Sequence, residues 1–552
     1  MGIKLLIVGG VAGGATAAAR ARRVSEDAEI IVFERGEYIS FANCGLPYYI
    51  GNIIKKRAHL LLATPKEFKN RYNIEVRIFS EVVGLNAKEK TVEVKNAVTG
   101  EKYHESYDKL ILSPGAEPIK PPLEGIELEN IFHLRNIPDS DRIKKIVDER
   151  NPHRAVVVGG GFIGLEMAEN LTERGVNTTI VEMLDQVMPS LDYEMATLIH
   201  DHLEAKNVEL ELENSVKSFT KAGDRILVSM EKGREIECDL VLLSVGIRPE
   251  NKLAVQADLK IGPTGGIAVD NTMRTSDPNI YAVGDAVEVR DFVTGFPTLT
   301  ALAGPANKQA RIAADNALGR KSIFTGTLGT SVVKVFDMTL ASTGANEKFL
   351  KKHNLPYLVS YTHSGSHAGY YPGATNTSIK ILFSPGTGRL LGAQIVGKIG
   401  VDKRSDVLAT AIRAKMTVFD LQELELAYAP PYSSAKDPIN ICGFVASNIL
   451  KGDMDIAHWN EIEALQQNGE ILIDLRTKFE IKHVGKIEGA LHIPIDDLRN
   501  RLSELDKQKT YIPFCAVGFR GYLAHRILVQ NGFNSRNLSG GFMTYKMANN
   551  MK

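Results

Sequence analysis

The segment KLLIVGGVAGGATAAARARRVSEDAEIIVFE, residues 4–34, decides the fold, because it predicts a strand, a glycine-rich turn, a helix and a second strand. The segment AVVVGGGFIGLEMAENLTERGVNTTIVE, residues 155–182, repeats this order. Glycines in a turn between a strand and a helix are typical of dinucleotide-binding folds. The repetition therefore predicts an α/β protein with two Rossmann-like nucleotide-binding domains.

Length and charge narrow the possible classes of protein. A chain of 552 residues is too long for one hydrophobic core and predicts roughly three or four domains. Basic and acidic side chains number 66 each, and this balance argues against a nucleic-acid or membrane-surface partner. No segment resembles a membrane span or a cleaved leader. Four cysteines in so long a chain do not form a disulfide framework, so we expect a cytoplasmic protein.

The glycine turns supply candidate cofactor-binding residues. Glycine lets backbone N–H groups approach a pyrophosphate, and the start of the following helix stabilises its charge. An acidic residue at the end of the next strand then holds the ribose hydroxyls. The first copy offers Gly9, Gly13, Gly14 and Glu34, with Val11 at the position of the central glycine. The second copy offers Gly159, Gly161, Gly164 and Glu182.

Two further segments resemble the pyridine nucleotide–disulfide oxidoreductase family. ILSPGA, residues 111–116, is similar to the family's turn between the nucleotide regions, and TSDPNIYAVGD, residues 275–285, is similar to its second flavin fingerprint. The resemblance covers residues 1 to about 445. It implies FAD in the first unit, a nicotinamide nucleotide in the second, and a hydrogen bond that Asp285 accepts from the ribityl chain. The Glu182 carboxylate repels a 2′-phosphate, which favours NADH, with NADPH tolerated.

Cys44 is the candidate redox sulfur. Glutathione-reductase-like members of the family have a closely spaced pair of cysteines, whereas Cys44 stands alone in SFANCGLPY, residues 40–48. This string resembles the coenzyme A disulfide reductase branch, which implies a mixed disulfide between Cys44 and coenzyme A. Ser40 and Asn43 would contact the coenzyme, and Asn43 also the cofactor. Relatives that reduce peroxide or oxygen typically carry histidine where Ala12 stands, so those reactions are poorly supported. A buried structural cysteine is the alternative.

The resemblance also implies catalytic and coenzyme-binding residues away from Cys44. Two tyrosines from the partner subunit's dimerisation domain lie near the cysteine in this branch, and a phenol can donate a proton to a leaving thiolate. By motif they match Tyr370 and Tyr428, with Tyr371 and Tyr432 as competing assignments. Aromatic packing at an interface is the alternative. Arg20 and Arg23 are candidates for binding the coenzyme A phosphates, or they only compensate the helix dipole.

A second cysteine, Cys515, opens the loop CAVGFR, residues 515–520, between a predicted strand and a predicted helix. Backbone N–H groups, the helix N-terminus and Arg520 favour a thiolate there. The loop resembles the rhodanese active site, in which the cysteine carries a persulfide. Cysteine phosphatases usually have one more residue in this loop. The pair Gly540-Gly541 supports the resemblance, and Tyr545 stands where many rhodaneses have tryptophan. A catalytically inactive interaction module is the alternative.

The patterns together predict four domains. Segments beyond residue 325 alternate like strands and predict an α+β domain, which the family resemblance identifies as a dimerisation domain. The predicted division is FAD-binding over 1–150 and 271–325, NADH-binding over 151–270, dimerisation over 326–445, a linker over 446–456 and an α/β rhodanese-like domain over 457–552. We expect a homodimer and no metal.

The resemblance implies an NADH- and FAD-dependent reductase that acts on sulfur. Hydride passes from NADH to FAD, and electrons then reach the disulfide between Cys44 and coenzyme A. The fused rhodanese module favours coenzyme A persulfide or polysulfide as the substrate, with Cys515 as sulfur carrier and sulfide released. Coenzyme A disulfide is the alternative substrate. A redox- or sulfide-sensing interaction protein is the alternative from another class.

Overall fold

The computed structural model describes residues 2–549, which form two compact units. One unit contains the residues up to Asp185 together with Asn207–Gly329, and the other contains Gln186–Lys206 together with the residues from Thr330 onward. The predicted NADH-binding range 151–270 is therefore interrupted by a segment that packs in the second unit. None of the helices formed by residues 2–549 is both long and apolar enough to cross a membrane.

The first nucleotide fold of the first unit is a parallel sheet with helices packed on it. Its five strands lie in the order Ile280–Ala282, Lys109–Leu112, Lys4–Val8, Glu29–Phe33 and Glu75–Arg77. Helices Ala12–Val24 and Ala303–Ala317 pack on one another, since their buried alanines let the two backbones approach closely. Residues beyond 270 thus supply an edge strand and a helix to the N-terminal fold.

The second nucleotide fold repeats this arrangement. Its parallel strands lie in the order Glu209–Glu211, Asn177–Val181, Arg154–Val158, Leu240–Leu243 and Ile131–Phe132. Helix Phe162–Glu173 follows the central strand, as Ala12–Val24 does in the first fold. Both glycine turns therefore lie at the carboxyl edge of the central strand, where open parallel sheets bind their ligands.

Smaller elements complete the first unit. One antiparallel sheet contains Ser80–Asn86, Thr91–Asn96 and Lys102–Ser106, and another contains Val216–Ala222, Arg225–Met230 and Glu235–Cys238. A third, mixed sheet contains Ile267–Ala268, Val287–Arg290 and Pro297–Leu299, of which the first two strands are parallel. A two-stranded ribbon joins Ala116–Pro118 to Ile247–Pro249. The remaining helices are Leu46–Ile50, Pro65–Tyr72, Ile137–Glu149 and Lys252–Gln256, with short 3₁₀ turns at Asn43–Gly45, Arg57–Leu60 and Gly284–Ala286.

The second unit begins with an antiparallel sheet covered by helices. Its five strands lie in the order Ser331–Val335, Met338–Gly344, Leu390–Gly397, Asn376–Phe383 and Leu358–Gly365. The helices are Tyr193–Ala205, Glu347–Lys352, Val401–Arg413, Val418–Glu423 and Pro438–Leu450. The alternating segments thus form the α+β domain that the sequence predicts.

A buried ion cluster explains why the segment 186–206 packs in this unit. The completely buried Lys380 ammonium lies 2.8 Å from Asp192, 2.5 Å from Glu194 and 2.6 Å from Glu347. Tyr361 donates a further hydrogen bond of 2.7 Å to Glu194. Three carboxylates so close together could hold a metal ion, but here the ammonium is their counter-charge. Asp192 and Glu194 are therefore tied to the antiparallel sheet.

The linker predicted over 446–456 is wrong in its first half. Residues 446–450 form the end of helix Pro438–Leu450, in which Ala446 and Ser447 are buried. The helix packs on the strand Leu358–Gly365 because its apolar side chains need a partner surface.

The rhodanese-like range forms an α/β layer of its own. Its parallel strands lie in the order Leu491–His492, Ile471–Asp474, Thr510–Phe514 and Asn534–Ser535, with a separate pair of Ile456–Ala457 and Asn537–Leu538. The helices are Ile462–Gln467, Lys478–Val484, Phe519–Gln530 and Gly541–Ala548, with 3₁₀ segments at Trp459–Glu461 and Leu498–Glu504. The loop that holds Cys515 follows the strand Thr510–Phe514 directly.

Candidate active site

Both nucleotide turns begin with a glycine that no other residue can replace. Gly9 has φ +93°, and a Cβ atom there would lie 2.1 Å from the Ser113 carbonyl oxygen. Gly159 has φ +104°, and a Cβ atom would lie 2.3 Å from the Ser244 carbonyl oxygen. Each turn therefore crosses the end of the neighbouring strand at a distance that excludes a side chain.

The central position of the turn differs between the two copies. Val11 has φ −97°, a conformation that tolerates a side chain, and it is the N-cap residue just before helix Ala12–Val24. Its counterpart Gly161 has φ −80°, and a Cβ atom there would meet no protein atom within 4 Å. Neither backbone strain nor protein packing requires this glycine, and the space beside it suits a bound phosphate. Gly13, Gly14 and Gly164, in contrast, pack directly against protein atoms.

The two acidic residues hold their turns from equivalent positions. Glu34 accepts a hydrogen bond of 2.8 Å from the Gly10 N–H, and Glu182 accepts one of 2.8 Å from the Gly160 N–H. Each carboxylate also accepts the N–H two residues further along the chain, at 2.9 Å. A carboxylate has about four acceptor sites, so each retains capacity for ribose hydroxyls.

The helices that follow the two turns have free N-terminal amides. Within residues 2–549, neither Ala12–Val24 nor Phe162–Glu173 has a side-chain cap or an acidic residue in its first turn. Helices Pro65–Tyr72 and Ile137–Glu149 of the same unit carry complete capping boxes instead. Uncapped N–H groups favour an anion. The residues of the two turns therefore fit the pyrophosphates of FAD and NADH.

Cys44 lies in an exposed 3₁₀ turn of the first unit, Asn43–Gly45, just before helix Leu46–Ile50. The Asn43 side-chain oxygen accepts the Cys44 N–H at 3.1 Å and lies 3.8 Å from the sulfur. Ser40 has φ +47°, and its N–H donates to the Gly10 carbonyl at 2.8 Å. A serine in this conformation is strained, and the bond to the glycine turn holds it there.

Two carboxyl groups act electrostatically on Cys44. Partial burial raises the pKa of the thiol, and the charges of Glu166 and Asp285 raise it further. Burial raises the pKa of Asp285 and raises that of Glu166 to about 7, while Tyr48 donates a hydrogen bond of 3.1 Å to Glu166. The fold thus brings Cys44, the predicted Asp285 and the helix after the second glycine turn together. Sequence reasoning missed Glu166, because only the fold brings its helix close to Cys44.

Replacing Glu166 with glutamine should make Cys44 react faster at alkaline pH. The carboxyl group is neutral below its pKa of about 7 and charged above it, so only at higher pH does it oppose thiolate formation. We expect Cys44 in the reduced, FAD-loaded variant to be alkylated about threefold to tenfold faster than in the wild type at pH 8. The two rates should converge below pH 6.

Iodoacetamide labelling of Cys44, followed by mass spectrometry across this pH range, measures the difference. Glu173→Gln removes an exposed carboxylate from the same helix and serves as the control, with an unchanged profile. Parallel profiles for the wild type and Glu166→Gln would contradict the electrostatic contact.

The predicted phosphate-binding arginines have different surroundings. Arg20 forms an ion pair of 2.7 Å with Asp315, and its side chain is only 13% exposed. Arg23 is exposed at the end of the same helix, Ala12–Val24. Its guanidinium is the more accessible of the two for a phosphate.

The second unit brings the two predicted tyrosines together. The hydroxyls of Tyr370 and Tyr428 lie 2.8 Å apart, and this hydrogen bond raises the pKa of Tyr370. Both side chains are exposed, at 76% and 48%. Tyr371 packs instead against the His367 ring, and the two ring centroids lie 5.7 Å apart. This contact favours Tyr370 over Tyr371 as the proton-donating tyrosine.

A buried ion pair anchors the two loops that carry these tyrosines. The completely buried Arg404 donates to the Ser366 carbonyl at 2.8 Å and to the Asp437 carboxylate at 3.0 Å. Asp437 accepts the Ser433 hydroxyl at 2.5 Å, and the Ser433 carbonyl accepts the Ala368 N–H at 3.0 Å. One anchor therefore sets the position of both tyrosines, and no local motif predicts it.

The rhodanese-like loop encloses its cysteine. Cys515 is 1% exposed, and its sulfur accepts the Gly518 N–H at 3.2 Å. The Cys515 carbonyl accepts the Phe542 N–H at 2.8 Å from the start of helix Gly541–Ala548. A Cβ atom at Gly541 would lie 2.5 Å from that carbonyl oxygen, which explains the glycine pair in the sequence. Arg520 extends from the other end of the loop and forms an ion pair with Glu480.

The other two cysteines are inert by position. Cys238 and Cys442 are completely buried, and burial raises the pKa of each thiol to about 12. Cys442 lies 3.0 Å from the Thr362 hydroxyl. Both therefore remain protonated at neutral pH.

Three family models match the chain. The pyridine nucleotide-disulphide oxidoreductase model matches residues 3–310, the dimerisation domain of the same family matches residues 330–438, and the rhodanese-like domain matches residues 458–548. Together they agree with the nucleotide-binding, α+β and C-terminal folds described above.

Individual proteins are similar over most of the chain. The coenzyme A disulfide reductase of Staphylococcus haemolyticus is 40% identical over 447 residues, which span 81% of this chain and all of that protein. The reduced CoADR-RHD structure of Bacillus anthracis has a TM-score of 0.97 and 52% identity, and covers 99% of this chain and 98% of its own. A NAD-dependent persulfide reductase from A. fulgidus has a TM-score of 0.91 and 38% identity, covering 98% and 100%.

Proposed function

The chain belongs to the pyridine nucleotide–disulphide oxidoreductase family, and from this membership we propose an NADH- and FAD-dependent reductase of coenzyme A persulfide or polysulfide. The reaction converts a persulfide, NADH and a proton into a thiol, hydrogen sulfide and NAD⁺. Electrons from NADH break the sulfur–sulfur bond, so sulfur is reduced and the nicotinamide is oxidised. FAD, when bound, carries these electrons from the nicotinamide to sulfur.

The observation that carries the persulfide proposal is the second sulfur site. Cys515 is enclosed in a loop whose Gly518 N–H donates to its sulfur, a geometry that stabilises a thiolate or a persulfide anion. A reductase of disulfides alone has no use for such a carrier. The persulfide reductase from A. fulgidus, which this chain matches over 98% of its length, agrees with this proposal.

The residues of the first unit receive the following roles. The two glycine turns hold FAD and NADH, with Glu34 and Glu182 on the riboses and Asp285 on the flavin side chain. Cys44 alternates between a thiolate and a mixed disulfide with coenzyme A, with Ser40 and Asn43 beside it. Arg23, and Arg20 where its ion pair opens, bind the phosphates of the coenzyme.

The residues of the second unit act on the leaving sulfur. Tyr370 and Tyr428 share a hydrogen bond, so one phenol can donate a proton while the other stabilises the resulting phenolate. We propose that they serve the Cys44 of the partner subunit in a homodimer, which the dimerisation domain supports. We also propose a cytoplasmic location, where thiols remain reduced.

Coenzyme A disulfide is the second candidate substrate, because the curated relative from Staphylococcus haemolyticus is named for it. Its reduction requires Cys44 but no sulfur carrier. The interaction-protein alternative has less support, since the chain retains both glycine turns, both acids and both reactive cysteines.

Anaerobic NADH oxidation with each substrate tests the proposal. We expect coenzyme A persulfide to accelerate NADH oxidation with one sulfide released per NADH, and with kcat/KM above that for coenzyme A disulfide. A kcat/KM at least about tenfold higher for the disulfide would favour the second candidate. No acceleration by either substrate would support the sensing alternative.

A further inference from the structure

The Arg520 guanidinium in the rhodanese-like loop is already neutralised. Its two terminal nitrogens donate to the two Glu480 oxygens at 2.9 and 2.5 Å, in the bidentate geometry that arginine prefers for carboxylates. This hydrogen bond holds the pKa of Glu480 at about 2, so the carboxylate stays charged at any working pH. The Cys515 sulfur is the second neighbour that raises the pKa of Arg520. The only cation of the CAVGFR loop is therefore shared between its own sulfur and a carboxylate.

Glu480 is held in place by its own helix. It is the third residue of helix Lys478–Val484, and its side chain accepts the Thr477 N–H at 2.9 Å in a capping box. The carboxylate is thus fixed by backbone geometry as well as by charge.

The cavity beside Arg520 combines apolar and charged lining residues, and its charges balance. It encloses about 390 Å³, and Leu475, Pro494, Ile495, Leu523 and Ile527 supply its apolar lining. Its charged lining residues are Asp496, Arg499 and Arg520, so with Glu480 on Arg520 the charges sum to zero. Cys515 belongs to the same apolar cluster as Leu475 and Ile527. The cavity therefore offers a dianionic donor no net positive charge.

From this geometry we propose that Glu480 determines the donor specificity of Cys515: it excludes dianionic donors such as thiosulfate and selects persulfides that present an uncharged arm. This inference rests on the proposed role of Cys515 as sulfur carrier. The sulfonate end of thiosulfate needs a free guanidinium in the loop. The guanidinium of Arg520 is not free, because Glu480 already occupies it. An uncharged thiol arm needs only the apolar lining, and the pantetheine arm of coenzyme A is of this class.

Both donors reach the same product by balanced steps. With thiosulfate, the Cys515 thiolate attacks the outer sulfur, the S–S bond of the donor breaks, and sulfite leaves as a dianion. With an organic persulfide, the same attack leaves Cys515 persulfide and a thiol that keeps the donor's proton. Cyanide then removes the outer sulfur as thiocyanate and restores the Cys515 thiolate. Neither step requires NADH, FAD or Cys44.

Thiocyanate formation by the full-length, FAD-loaded protein tests the proposal. The donors are thiosulfate and the persulfide of 2-mercaptoethanol, with cyanide as acceptor. We expect the wild type to favour the persulfide in kcat/KM by at least about a hundredfold. Glu480→Gln should raise kcat/KM for thiosulfate at least about tenfold and leave that for the persulfide within about threefold. Glutamine can still close the capping box, so the variant retains its helix start.

Two matched variants separate the effect of Glu480 on Arg520 from a general effect of surface charge. Glu488→Gln removes an exposed carboxylate that pairs only with Lys486 and should leave both rates unchanged. Cys515→Ser combined with Glu480→Gln should lose both activities. Equal thiosulfate activity in the wild type and a folded Glu480→Gln protein would overturn the proposal, as would a wild type that uses both donors equally. Because the assay bypasses NADH, a failure of the proposed reductase function would appear separately, in NADH oxidation.

Discussion

Replacing Cys44 with serine should abolish NADH-dependent reduction of persulfide and disulfide, with kcat/KM falling at least about a thousandfold. A serine oxygen forms no mixed disulfide and remains protonated at working pH, so the electrons of NADH have no sulfur acceptor. FAD should remain bound, because the contacts of Gly9 and Glu34 do not involve the cysteine. Steady-state NADH oxidation and the flavin absorbance of the purified variant measure the two properties.

Cys442→Ala is the matched control, because it removes a buried sulfur from the second unit and should retain reductase activity. Cys44→Ser should also retain transfer of persulfide sulfur to cyanide at Cys515. A variant that lost FAD would show that the turn Asn43–Gly45 supports the cofactor site. Substantial persulfide reduction without Cys44 would be incompatible with the proposed mechanism.

Replacing Cys515 with serine should separate the two candidate substrates. We expect reduction of relayed sulfane sulfur to fall about tenfold or more, while reduction of coenzyme A disulfide changes less than about twofold. A disulfide can react with thiolates at Cys44 without a carrier, whereas a persulfide held on Cys515 requires that sulfur. The Gly518 N–H can donate to a serine oxygen as it does to the cysteine sulfur, so the loop should keep its form.

Steady-state rates with both substrates on the same preparation measure this separation. Tyr545→Phe, which keeps the aromatic ring in the rhodanese-like domain, serves as a control with unchanged rates. Equal losses on both substrates would place Cys515 in the core reaction. No loss on any sulfane donor would make the module dispensable and would leave the coenzyme A disulfide activity as the better proposal.

The sequence predicts the parts of this protein that depend on neighbours along the chain. The two glycine turns, their strands and the acids Glu34 and Glu182 follow a local pattern, and the structure has them where the pattern places them. The predicted linker failed in its first half, since only the tertiary fold shows which apolar segment packs on a surface.

The missed site residues depend on contacts between distant segments. Glu166 acts on Cys44 from 122 positions away, and Glu480 pairs with Arg520 across 40 positions. Arg404 holds Asp437 and the Ser366 carbonyl only because the antiparallel sheet brings three segments together. Each of these residues is an ordinary charged side chain on a helix or next to one. No spacing or composition separates them from exposed charges, so geometry is needed to find them.

The hydrogen bonds of Glu34 and Glu182 have a consequence for ligand entry. Both carboxylates are oriented by two backbone N–H groups each, so their rotamer freedom is lost during folding and not when a nucleotide arrives. Preorganisation of this kind strengthens binding because less entropy is lost on association. The two sites are also preorganised independently, each by its own turn. Binding at the second turn therefore requires no rearrangement of the first.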